Sequence, residues 1–114
     1  MIRATLHMTV RPGAEDEFMR VFSAVAEKVR SDPGSVRQTL LRDPDNPSSF
    51  VVMTDWISRD AFALFERSTA QDQLTAPLRA LRESSSMAVY DLIYSLEGGA
   101  DADARHGLGD DQAG

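Results

Sequence analysis

The chain contains no cysteine, which excludes a disulfide framework and any metal held by thiolates. Histidine is almost as scarce: apart from His106 near the C-terminus there is only His7, too few for a metal-ligand cluster. No apolar run approaches the roughly 18 residues of a membrane span, so a membrane is not an expected partner. The opening Met1-Ile2-Arg3-Ala4-Thr5 lacks the apolar stretch of a secretion signal, and we expect a cytoplasmic protein. Basic residues are outnumbered, 12 Lys and Arg against 18 Asp and Glu. With no basic stripe, nucleic acid is not an expected partner either. Half of the net charge of −6 sits at residues 98–114, where Asp101, Asp103, Asp110 and Asp111 face Arg105 alone. That stretch also holds five of the seven glycines and one large apolar residue, Leu108. We expect a disordered tail there and a single domain over residues 1–97.

Periodicity organises what remains. Ile2, Ala4, Leu6, Met8 and Val10 alternate with Arg3, Thr5, His7 and Thr9, which reads as a first strand over residues 2–10. Pro12-Gly13 punctuates, and Glu15, Asp16 and Glu17 occupy the next turn, where a helix dipole favours anions. Phe18, Val21, Phe22, Val25, Ala26 and Val29 then recur at helical spacing until Asp32-Pro33-Gly34. A second strand over residues 35–43 and a third over 49–57 flank turn chemistry at Asp43-Pro44-Asp45-Asn46-Pro47, predicting an antiparallel hairpin. Ser58 caps a helix holding Ala61, Phe62, Leu64 and Phe65. Leu74, Leu78 and Leu81 mark a further helical stretch containing Pro77, where a kink or a break is expected. Ser84-Ser85-Ser86 closes that region, and a last strand is expected over residues 87–96. The order β-α-β-β-α-β predicts an α+β protein of ferredoxin-like topology, an antiparallel sheet with helices on one face.

The third strand is apolar on both faces, Phe50, Val52 and Trp56 on one and Val51, Met53 and Ile57 on the other. A strand of that kind must be covered on both sides. The chain's own helices supply one cover, and we expect a second copy to supply the other, sealing a homodimeric α+β barrel.

On these residues the chain resembles the antibiotic biosynthesis monooxygenase family of dimeric α+β barrels. The resemblance lies in Val10-Arg11-Pro12-Gly13-Ala14-Glu15-Asp16-Glu17-Phe18 and in Val52-Met53-Thr54-Asp55-Trp56-Ile57-Ser58-Arg59-Asp60-Ala61-Phe62. It implies oxygenation of a phenolic or anthrone-type polyketide to a quinone by dioxygen, with no cofactor and no metal. It also implies a cavity lined by Trp56. The chain departs from the family's polyketide oxygenases at two positions: their Asn four residues before the Trp is Val52 here, and their Tyr six residues after it is Phe62. The haem-degrading branch needs an Asn on strand one, which this strand lacks, so haem degradation is disfavoured. The loss of these polar groups keeps open a non-oxygenase of the same fold that binds a polyketide or steers its cyclisation. A small stress-related domain known mainly by its dimerisation is a third reading.

Cofactor-free oxygenation asks a site to orient an electron-rich ring, stabilise its anion and exclude water. Trp56 and His7 are the candidate catalytic residues, the indole N–H as a donor to a ligand oxygen or else as plain core, the imidazole as a base or else as a surface or interface group. Val52, Thr54, Phe62, Phe65 and Tyr90 are the candidate substrate-binding residues. The expected partners are a small aromatic substrate, dioxygen and a second copy. Arg79 and Arg82 could also face an anion.

Overall fold

A computed structural model describes residues 1–100. The elements run β1 (Ile2–Val10), α1 (Glu15–Val29), β2 (Ser35–Asp43), β3 (Asn46–Trp56), α2 (Arg59–Glu66), α3 (Thr69–Leu81) and β4 (Arg82–Asp91). The strands form one antiparallel sheet in the order β2-β3-β1-β4. The helices cover one face, so the architecture is the ferredoxin-like α+β arrangement. Among the described residues, no helix is long and apolar enough to cross a membrane.

Register assigns every strand side chain to a face. Ile2 pairs with Trp56, Ala4 with Thr54, Leu6 with Val52 and Met8 with Phe50. Because side chains alternate along a strand, these residues form the helix-covered face. Arg3, Thr5 and His7 with Asp55, Met53 and Val51 form the open face. The core is packed solidly at one end, where Val10, Phe18 and Phe50 are almost fully buried and the Phe18 and Phe50 rings lie 4.9 Å apart. On the open face Arg3 grips Asp55 with two hydrogen bonds, Nε to Oδ1 at 2.7 Å and Nη2 to Oδ2 at 3.0 Å.

Two expectations are corrected. The interruption in the second helical region falls at Arg67-Ser68, and α3 runs through Pro77 without a break. Ser68 nucleates α3 by accepting from the Gln71 N–H at 2.9 Å, the capping chemistry that favours Ser at this position. The last strand begins at Arg82 and ends at Asp91 instead of spanning 87–96. Ser84, Ser85 and Ser86 therefore lie inside it, paired with Thr9, Met8 and His7. Ladder bonds to the central strand outweigh the weak strand preference of serine. The strand stops because β1 begins at Ile2, the partner of Asp91, leaving one further bond from the Leu92 N–H to the Met1 carbonyl. The proposed tail over residues 98–114 lies outside the described residues from position 101 onward; residues 98–100 form neither helix nor strand.

Candidate active site

Away from the solid end of the core, a cavity of about 380 Å³ opens between the sheet and the helices. That volume falls in the range of about 300–1,000 Å³ common to ligand pockets. Its floor is the covered face of β1 and β3, with Ala4, Leu6, Val52 and Thr54. Phe22 and Val25 of α1 and Leu78 of α3 close its sides.

Trp56 forms the aromatic end. It is the last residue of β3, and the chain turns at once into α2, whose start is fixed by the Ser58 hydroxyl accepting from the Ala61 N–H at 3.0 Å. That cap places Phe62 and Phe65 on the helix face turned toward the indole. The Phe62 and Phe65 ring centroids lie 5.6 Å and 4.8 Å from that of Trp56, both tilted, as aromatic pairs prefer. Behind the indole the backbone of Gly34 passes so closely that a Cβ there would sit 2.7 Å from the Ala61 Cβ and 3.5 Å from the indole Cε3. The Gly34 carbonyl also accepts from the Ile57 N–H at 3.0 Å, fixing the exit of β3.

Trp56 is only 1% exposed, and its Nε1–H donates to Thr54 Oγ1 at 2.9 Å. The indole N–H expected to reach a ligand is thus engaged two residues away on its own strand. The structure gathers Trp56, Val52, Thr54, Phe62 and Phe65 around one cavity. It does not bring His7 or Tyr90 there. His7 pairs with Val51 and Ser86, and Tyr90 with Arg3, all on the open face. There Tyr90 is 56% exposed, and His7 joins Thr9, Ser49, Ser84 and Ser86 in a separate shallow depression. An odd position on β1 cannot reach a cavity that the even positions floor.

The far wall is more polar than the sequence suggested. Glu66, Gln71, Thr75, Arg79 and Arg82 line it along α2, α3 and the start of β4. Arg79 is tied to Thr75 Oγ1, to the Asp72 carbonyl at 3.1 Å and to the Asp72 carboxylate at 3.2 Å. Gln38 also lines the cavity, its side-chain amide donating to the Ala26 carbonyl at 3.0 Å. Helical spacing of Gln71, Thr75 and Arg79 was the sequence signal for this wall, with Arg82 following at the start of β4.

The sequence profile described as antibiotic biosynthesis monooxygenase matches residues 1–76. The chain is 37% identical over 84 residues to the deoxynogalonate monooxygenase of Streptomyces nogalater, covering 74% of this chain and 64% of that protein. It is 23% identical over 101 residues to a 42.8 kDa protein of the whiE locus of Streptomyces coelicolor, spanning 89% of this chain but a quarter, 25%, of that relative. Among solved structures, SnoaB of Streptomyces nogalater, a cofactor-independent oxygenase, superposes with a TM-score of 0.75 at 31% identity, covering 85% of this chain and 97% of that one. A Deinococcus radiodurans protein shares the fold with a TM-score of 0.75 at 13% identity. Profile, fold and cavity agree: the chain belongs to the antibiotic biosynthesis monooxygenase family.

Proposed function

We propose that the protein is a homodimeric, cofactor-independent monooxygenase that oxidises a flat phenolic or anthrone-type polyketide to a quinone. The observation that carries this reading is the 380 Å³ cavity with Trp56 at its end and Phe62 and Phe65 beside the indole. Its apolar lining suits a fused aromatic ring system. The similarity to a cofactor-independent oxygenase and to a deoxynogalonate monooxygenase supports the same class.

The reaction needs little from the side chains. The substrate loses a proton, and the resulting ring anion passes electrons to dioxygen. One oxygen atom bonds to the ring carbon, and the other leaves as water with the two hydrogens the ring gives up. The reductant is the substrate itself. The protein's part is to hold the ring, stabilise its anion and keep water out. Glu66 is the one carboxylate on the cavity wall among the described residues, whereas His7 is on the opposite face of the sheet.

A second copy covers the open face. Leu41 and Tyr90 are 45% and 56% exposed on it, beside Val51 and Met53. Burying several such side chains at roughly 1.5–3 kcal/mol each favours association, even after the loss of translational freedom.

Oxygen uptake and quinone absorbance with an anthrone or a dihydroxynaphthalene test the activity. Uptake above the spontaneous rate is expected, and it falls at least tenfold in Trp56→Ala. The absence of a hydrogen-bonding side chain at Val52 and Phe62, both on the cavity wall, favours a second reading in which the protein binds the polyketide without oxidising it. Quenching of Trp56 emission by the same compounds without oxygen uptake would establish that reading instead.

A further inference from the structure

Resting on that proposed site, we infer that Thr54, oriented by Trp56, is the hydrogen-bond donor to the ionisable ring oxygen of the aromatic ligand. The indole is a positioning residue that makes no polar contact with the ligand itself.

A threonine hydroxyl has one proton to give and two lone pairs to receive. Thr54 Oγ1 receives the Trp56 Nε1–H at 2.9 Å, so its proton points away from the indole. No acceptor for that proton is found among the described residues. The cross-strand neighbours of Thr54 are Ala4, which has no polar side chain, and Gln38, whose amide nitrogen donates to the Ala26 carbonyl and whose Oε1 makes no hydrogen bond with Thr54. Thr54 lies on the cavity floor and is only partly buried, whereas Trp56 is 1% exposed. A ligand therefore meets the hydroxyl and not the indole N–H.

The two bonds act in one direction. Accepting from the indole polarises the threonine O–H, and hydrogen bonds in such chains strengthen one another where the local dielectric is low. A polarised donor favours an anion over a neutral oxygen, because charge-assisted bonds are about twice as strong as neutral ones. The ligand class that uses this device is an aromatic whose phenol or enol ionises in the cavity. Its anion is also the form that reduces dioxygen. Beside the hydroxyl, Ala4 and Val52 supply shape, while Gln38 across the strand has its amide nitrogen held by the Ala26 carbonyl.

The test uses the full chain under nitrogen, with 2-naphthol and naphthalene as probes and Trp56 emission and naphtholate absorbance as signals. The ratio of 2-naphthol to naphthalene affinity isolates the oxygen contact from ring packing. In Thr54→Val this ratio is expected to fall about tenfold, the size of one charge-assisted bond. The apparent pKa of bound 2-naphthol is expected to rise by about one unit. Thr54→Ser restores both; in Trp56→Phe, followed by naphtholate absorbance because the only Trp is gone, the pKa should rise by an intermediate amount, since the Thr54 hydroxyl is present but neither held nor polarised. If Thr54→Val fails to fold, Thr54→Ala carries the same expectation. In the ligand-free protein, the proton resonance of the Trp56 indole N–H should move upfield in Thr54→Val. An unmoved resonance, or an unchanged ratio and pKa in a variant that binds both probes, overturns the inference while leaving the cavity's function standing. Failure of the wild-type protein to take up either probe overturns the proposed function and this inference together.

Discussion

At the scale of single residues, the site depends on groups that lack atoms as much as on groups that have them. Gly34 has no side chain, and the place where one would stand is already taken by the Ala61 Cβ, with the indole edge at contact distance. Gly34→Ala therefore forces α2, which packs on the indole through Phe62 and Phe65, to move. We expect a loss of about 1–3 kcal/mol, as for other overpacking changes, read from the urea midpoint, and a red shift of Trp56 emission as water gains access. An unchanged emission maximum would show that α2 alone yields. The sequence disclosed that Trp56 would be large, solitary and near the cavity, since it ends a two-faced apolar strand. It did not disclose the partner of its N–H. A serine or threonine two residues away on a strand is on the same face, yet whether its hydroxyl turns toward the indole is a rotamer choice that no pattern of residue types records.

Among the elements, those with strong alternation or helical spacing were legible before any coordinates: β1 from residues 2–10, α1 from Phe18 to Val29, and the β2–β3 hairpin around its Asp-Pro turn. The errors came where tertiary pairing overrode local preference. The three serines of β4 read as a terminator, but β1 lies alongside with unfilled ladder positions and draws them into the sheet. Pro77 read as a kink or a break, yet the break falls nine residues earlier, where Ser68 caps α3. One junction between elements carries a pH dependence. The Glu15 carboxylate accepts from the Ser48 hydroxyl at 2.6 Å and from the Gly13 N–H at 2.8 Å, linking the start of α1 to the start of β3. The Ser48 bond, then the backbone N–H groups, hold its carboxyl below the usual 4.5. A carboxyl depressed in the folded state contributes stability above its unfolded pKa and loses it as pH falls through its folded value. Glu15→Gln should therefore be less stable than wild type near neutrality, with the difference shrinking in acid below about pH 4.5. Parallel thermal melts of the two proteins from pH 7 to pH 2.5 would show it, and a gap of constant width would refute it.

For the whole molecule, the decisive asymmetry is between the two faces of the sheet. One is roofed by three helices with a hollow beneath them, and the other presents Met53, Val51 and Leu41 around the bonded pair Arg3 and Asp55. Met53→Glu places an unpaired carboxylate at the centre of that face. If a second copy covers it, the substitution converts a dimer to a monomer in sedimentation equilibrium and leaves helix content unchanged. A wild-type protein already monomeric at micromolar concentration would remove the barrel. The apolar character of both faces of β3 was readable from the sequence, because its alternate positions are apolar on both sides. Alternation along β1 already set His7 on the face opposite Leu6 and Met8, as a surface or interface group, whereas the place of Tyr90 beside Arg3 follows from the register of β1 with β4.

The strand order β2-β3-β1-β4 also has a bearing on biogenesis. Ile2–Val10 becomes an interior strand, flanked by β3 and β4, both of which are translated after it. Until residues 46–56 and 82–91 emerge, Ile2–Val10 has both edges open, an invitation to stray pairing during vectorial synthesis. A nascent chain halted before Arg82 would still expose one edge of β1, so the emergence of β4, not of the aromatic end, is what closes that edge to stray pairing.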